Sequence, residues 1–151
     1  MANLVQIKKY LQQEKLPYKV IDLAQEAFTV SDVVDAGIRA SEVVKTLIVR
    51  VGLNKFAAIA LRGNDRVDFK KVRKLFGSKS ELAKPDEVLR MVGVPIGAVC
   101  PVLVGIPLYF DRRVLDLGNL HMGSGDLKHG LEMKLSDLLK AVGDYAVEDL
   151  V

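Results

Sequence analysis

Apolar residues recur at spacings of three and four near the start of the chain, where Leu4, Ile7 and Leu11 fall on one face of a helix that Asn3 can cap. Pro17 ends that helix. Tyr18 to Ile21 then reads as a short strand, Thr29 with Asp32 marks a helix start that closes at Gly37, and a small helical turn begins near Ser41. Two longer β-like runs follow, Lys45 to Val51 and Phe56 to Leu61, joined around Gly52 to Lys55. Asp68 caps a helix ending at Gly77, and Pro85 with Asp86 opens another, with Val88, Leu89 and Val92 apolar, that closes at Gly93. Strands near 107–111 and 117–122, a further run at 131–135 and a final helix from Ser136 complete the pattern. Strands interspersed with helices at irregular spacing predict a mixed α/β (α+β) fold. The expected architecture is one domain over residues 1–151, with helices flanking a mixed, largely antiparallel central sheet.

One stretch resists both periods. Residues 91 to 110, MVGVPIGAVCPVLVGIPLYF, carry no charge over a length that would cross a bilayer as helix, about 20 residues. Pro95, Pro101 and Pro107 each remove a helical donor, and Gly93, Gly97 and Gly105 add flexibility, so no helix survives there. What remains is an apolar loop-and-strand segment folded into protein, either the wall of a pocket or a buried connection before the strand at 107–111.

With 151 residues, half of them hydrophobic, the chain is long enough for one core. The N-terminal residues carry no apolar stretch behind a basic one, which points to the cytosol. Cys100 is the only cysteine, which excludes an internal disulfide and any multi-cysteine metal site. Twenty-two basic against nineteen acidic residues give a net charge of +3, which permits a polyanionic partner without requiring one.

Lys45 lies in VVKTLIV, residues 43 to 49, and strand alternation places it on a face with Val43, Leu47 and Val49. It either guards a sheet edge with its stem laid along the surface or meets an anion. Arg66, Lys70, Lys71, Arg73, Lys74 and Lys79 cluster on and around the helix whose Phe69, Val72, Leu75 and Phe76 face the core, and they form either a solvated surface or a seat for a phosphate backbone. Cys100 has apolar neighbours, and a buried core residue is the stronger interpretation than a thiolate nucleophile. His121 and His129 show no metal-binding spacing, and Ser124, Asp126 and His129 are too local in sequence to form a hydrolytic triad. Neither a Walker loop nor a GxGxxG run is present.

In order and spacing, VVKTLIV at 43–49, LRGNDRVD at 61–68, GAVCP at 97–101 and GSGDLKHGLEMKLSDLL at 123–139 resemble the YbaK family, free-standing relatives of the editing domain inserted in bacterial prolyl-tRNA synthetases. The resemblance covers nearly the whole chain and implies a YbaK-like fold. It also implies hydrolysis of the ester between a wrong small amino acid, alanine or cysteine, and the terminal adenosine of a tRNA, expected to be that for proline. The family's lysine is matched by Lys45 and its GxxxP loop by Gly97, Ala98, Val99, Cys100 and Pro101, which makes these the expected catalytic positions. Thr29, Gly123, Ser124, Gly125 and His129 are the expected substrate contacts, although the 123–129 segment is longer than the glycine-rich turn of many members. Arg66, Lys70, Lys71, Arg73 and Lys74 become expected tRNA contacts. The implied partners are the aminoacylated tRNA 3′ end and a synthetase alongside it. Neither membrane nor DNA is expected, and neither cofactor nor metal. The alternative is a non-catalytic module on the same fold that binds a tRNA 3′ end or a nucleotide.

Overall fold

The structure, a computed structural model, describes residues 2–151. Helix α1 (Leu4–Gln13) forms as its spacing predicts: the Asn3 side chain accepts from the Gln6 N–H, the Gln6 side chain accepts from the Asn3 N–H, and Ile7 and Leu11 are buried. Strand β1 (Lys19–Asp22) and helix α2 (Val30–Asp35) follow, the latter opened by the same reciprocal bonding between Thr29 and Asp32. Strands β2 (Val44–Val51) and β3 (Lys55–Arg62) pair antiparallel with Val51 opposite Lys55. The three residues between them turn at Gly52, whose φ of +64° suits glycine. Then come α3 (Phe69–Phe76), β4 (Ser80–Leu82), α4 (Pro85–Val92), β5 (Leu108–Asp111), β6 (Asn119–Gly123), β7 (His129–Lys134), α5 (Leu135–Val142) and β8 (Ala146–Glu148).

The mixed α/β class is as expected, with the strands divided between two sheets. One sheet has the order β4-β2-β3-β5-β8, antiparallel except where β5 runs parallel to β3 and β8 parallel to β5. The other is antiparallel, in the order β1-β7-β6. They meet where β4 runs out: β4 pairs with β2 only at Val49 to Val51, and a parallel bridge between Val43 and His121 brings β6 to the uncovered part of that edge.

β4 and β8 are three residues each, too short for a period of two to show in sequence. A 3-10 turn at Arg112–Asp116 delays β6 to Asn119, and pairing of Asp22 with His129 starts β7 before the apolar run begins. Leu135 belongs to α5, not to the strand before it.

The two faces of the large sheet bury different sets. Val44 and Ile48 of β2 and Ala58 and Ala60 of β3 join α1, α4 and the 94–102 segment in the larger core. Val49, Val51, Ile59 and Leu61 pack beneath α3 with Leu150. The fully buried Asp111 fixes the end of the chain, accepting from the Leu150 N–H at 2.9 Å and from the Arg113 guanidinium at 3.1 Å. Residues 94 to 107 have no helix or strand, and among the described residues no helix is long and apolar enough to cross a membrane.

Candidate functional site

The seam between the sheets holds a cavity of about 430 Å³. Its walls are the uncovered edge of β2 (Val44 to Ile48), the segment from Ala27 into α2, the loop residues Ile96, Gly97 and Val99, and the β6–β7 hairpin with its turn. The uncharged stretch is thus both pocket wall and buried connection: Ile96, Gly97 and Val99 line the cavity while Ala98, Cys100 and Val102 are buried in the core.

Glycines bring these walls together. Gly97 has φ +89°, and a Cβ on it would stand 2.7 Å from Phe28 Cα and 2.8 Å from Phe28 O. A Cβ on Gly123 would meet Val99 O at 2.3 Å. Gly125, at φ +88°, donates its N–H to Ala98 O at 2.7 Å and has no room for a side chain against Asn3 and Leu4. Only bare backbone allows the 97–99 loop to lie between the 27–28 segment and the hairpin. Within that loop the Ala98 N–H is bonded to Pro95 O at 3.0 Å. The N–H groups of Gly97 and Val99 have no backbone acceptor among the described residues.

Lys45 reaches the cavity from the β2 edge, half-buried. Burial lowers its pKa first; the field of Asp65 acts against this and that of Arg66 adds to it. Asp65 is itself held by Arg62 at 2.7 Å, so the Lys45 ammonium has no ion-pair partner among the described residues. Three further polar atoms at the cavity are buried without a hydrogen bond: Thr46 Oγ1, His121 Nδ1 and His129 Nδ1. His129 Nδ1 stands 3.5 Å from Asp126 Oδ1 without bonding geometry, and the Lys128 N–H is the main cause of the lowered Asp126 pKa.

The structure gathers Lys45, Thr29, Gly97, Val99, Gly123 and His129 around this cavity and leaves the other candidates outside its walls. Thr29 also caps α2, its hydroxyl accepting from the Asp32 N–H. Ser124 is fully buried; its hydroxyl donates to His129 O at 2.6 Å and closes the 124–129 turn. Pro101 is buried beside Cys100, whose thiol burial pushes up to about 12, partly opposed by the Val102 N–H. A thiol of that kind is protonated near neutrality and makes no nucleophile. On α3 and before it, Arg66, Lys70, Arg73 and Lys74 are exposed, although Arg73 Nε also donates to Ser80 O at 3.3 Å. Lys71 is engaged within the fold, donating to Asp149 at 3.1 Å and to Val151 O at 2.7 Å. His121 and Thr46 are the cavity residues that sequence reasoning missed. Alternation in NLHMG sets His121 on the face opposite Leu120 and Met122, but only the docking of Val43 turns that face into an interior.

Residues 24–141 match the model of the aminoacyl-tRNA editing domain. Over 87 residues, 56% of the chain, the sequence is 34% identical to proline–tRNA ligases of Staphylococcus aureus, among them those of strains Newman and COL. That stretch is 15% of the ligase, so the chain corresponds to a small part of those relatives. Among solved structures, the hypothetical protein APE2540 superposes with a TM-score of 0.83 at 26% identity, covering 95% of this chain and 97% of that one. A candidate trans-editing enzyme for prolyl tRNA synthetase superposes with a TM-score of 0.81 at 25% identity, over 99% and 98% of the two chains.

Proposed function

The chain belongs to the aminoacyl-tRNA editing domain family, and from that premise we propose that it is a trans-acting deacylase that hydrolyses a mischarged small amino acid from a tRNA, that for proline being the first candidate. The observation that carries this is the meeting of Lys45, the Gly97 and Val99 backbone and His129 around one cavity. Water adds to the ester carbonyl, and the bond to the ribose oxygen breaks. That oxygen takes up a proton, leaving free amino acid and a tRNA with both terminal hydroxyls. An aminoacyl ester is already activated, so placement of water and carbonyl, with donors where the oxyanion develops, is enough without a covalent intermediate on the enzyme. The N–H groups of Gly97 and Val99 are the candidate oxyanion donors. The Lys45 ammonium is the candidate grip on the phosphate or sugar of the 3′ end.

Arg66, Lys70, Arg73 and Lys74 would follow the acceptor-stem phosphates, while Lys71 stays with the C-terminus. Editing answers a physical limit, since rejecting a side chain that differs by one methylene yields only about 1–3 kcal/mol in a synthetic pocket. The test is to incubate the protein with tRNAs carrying alanine, cysteine and other small residues and to follow loss of the amino acid. Acceleration over buffer on at least one ester is expected. Tight binding of the tRNA end with no acceleration on any would identify a binding module instead.

A further inference from the structure

His121 is a cavity residue for which the mechanism above has no use. It is 1% exposed, the deepest of the polar side chains lining the chamber, and its ring lies against Gly130, where a Cβ would stand 2.1 Å from Cε1 and 2.2 Å from Nε2. The bare backbone of Gly130 is what gives the imidazole its place at the cavity wall. Nδ1 faces Glu132 Oε1 at 3.6 Å and has no hydrogen bond. Burial lowers the pKa of the imidazole, against the pull of Glu132 and Glu42, so it is neutral near pH 7. A neutral imidazole has one N–H and one lone pair. With the N–H on Nδ1 toward the Glu132 carboxylate, Nε2 is left as an acceptor with no hydrogen-bond partner among the described residues, on a ring that lines the cavity beside Gly130.

A tRNA enters from solvent, so the ester and its adenosine lie toward the half-buried Lys45, and the part of the substrate that reaches deepest is the amino-acid side chain. Resting on the deacylase function proposed above, we infer that His121 is a specificity-determining residue that accepts a hydrogen bond from the side-chain hydroxyl of the aminoacyl group, so that seryl and threonyl esters are preferred to alanyl. An O–H is a strong donor to imidazole nitrogen and a thiol S–H a weak one, which ranks cysteine below serine. A site built around a hydroxyl discriminates against the analogue lacking it, because its own polar group is then left unpaired.

The experiment measures two quantities on wild type, His121→Leu and His121→Gln. One is kcat/KM on the same tRNA charged with serine, threonine, cysteine or alanine. The other is affinity for non-hydrolysable adenosine 3′-amides of serine and alanine. Wild type is expected to favour the seryl over the alanyl form by about tenfold or more in both. His121→Leu should lose that preference, its seryl values falling about tenfold further than its alanyl ones, and His121→Gln, whose amide oxygen can stand near the Nε2 position, should keep part of it. Equal wild-type handling of seryl and alanyl forms would overturn the inference. So would an equal loss on both in His121→Leu, which would assign the ring to the α-amino group common to all such esters. If the leucine variant fails to fold, the wild-type preference and the glutamine variant still decide. Binding with the expected preference but no hydrolysis of any ester would sustain the role of His121 and refute the deacylase function.

Discussion

Gly97→Ala tests whether the loop between α4 and β5 shapes the cavity through its bare backbone. The substitution forces an L side chain to hold φ +89°, which costs about 1–2 kcal/mol. The new methyl also stands 2.7 Å from Phe28 Cα, 2.8 Å from Phe28 O and 2.9 Å from Ala27 O. All three are backbone atoms that no rotamer change can move aside, and overpacking of this kind costs roughly 1–3 kcal/mol. The sum, about 2–5 kcal/mol, is a large share of the roughly 5–15 kcal/mol typical of a domain. For a chain of this length a loss near 3 kcal/mol lowers Tm by about 6–12 °C. Relief requires the 27–28 backbone to retreat, and that backbone leads into the Thr29 cap of α2 at the cavity wall. A displacement of about 1 Å at such a wall costs on the order of 100-fold in rate. Gly105→Ala is the control: φ is +78° but no atom lies within 4 Å of a Cβ there, so only the backbone strain applies. Thermal melts and deacylation at a temperature where both variants are folded give the comparison. A Gly97→Ala protein that melts like Gly105→Ala and turns over within about threefold of wild type would refute the steric account and detach the loop from the site.

Lys45→Met, which keeps the unbranched stem, should lower kcat/KM by about 10- to 150-fold, the equivalent of about 1.5–3 kcal/mol for a charged hydrogen bond. It should melt no lower than wild type, because the group it removes is disfavoured by its own desolvation; Lys45→Arg should rescue only in part, and wild-type activity in Lys45→Met would remove this residue from the site. Thr46→Val deletes a buried hydroxyl that has no partner, so the unliganded protein should gain about 1 kcal/mol in urea melts, and a loss of stability would show that the hydroxyl is bonded in solution. Cys100→Ala should retain deacylation within about threefold, and iodoacetamide should not label the native protein; rapid labelling would contradict a thiol held near 12. Asp149, held by Lys71 and Arg113, has its pKa lowered from 3.8 to about 2, so it stabilises the fold fully above the unfolded value and loses that contribution as pH falls toward 2. The stability gap between wild type and Asp149→Asn should be constant above about pH 5 and close on acidification, whereas a gap that widens below pH 4 would show the sign to be wrong.

The parts of this fold legible in the sequence are those decided within a few residues. Asn3 with Gln6 and Thr29 with Asp32 cap as side chains at that spacing can, and alternation through β2 places Lys45 on the face of Leu47 and Val49. The uncharged segment could be excluded as a helix because proline and glycine act locally. What could not be read depends on distant partners. The division into two sheets follows from how far β4 extends along β2, which no pattern in three residues reveals. Lys71 looks like its neighbours on α3 until the C-terminus arrives with Asp149 and the Val151 carbonyl. Ser124, in a glycine-flanked turn, reads as a cavity-facing hydroxyl, yet the carbonyl of His129 takes it inward. His121 and Thr46 had no signal of their own, since a polar residue in a strand becomes remarkable only when a second layer buries it unpaired.

The parallel pairing of β5 has a consequence for when activity can appear. Ala58 pairs with Leu108, and Tyr109 with Ala146, so the large sheet is closed by contacts 50 and 37 residues apart in sequence. Contacts so far apart in sequence form slowly compared with the β2–β3 hairpin, whose ends are joined by three residues. A chain emerging from the ribosome can make that hairpin early, but β8 and the Leu150 anchor on Asp111 are synthesised only about 85–90 residues after it. The cavity draws its walls from Leu23 through Gly130, so a nascent chain that has passed Gly130 but not yet reached Leu150 carries every lining residue before the large sheet is closed.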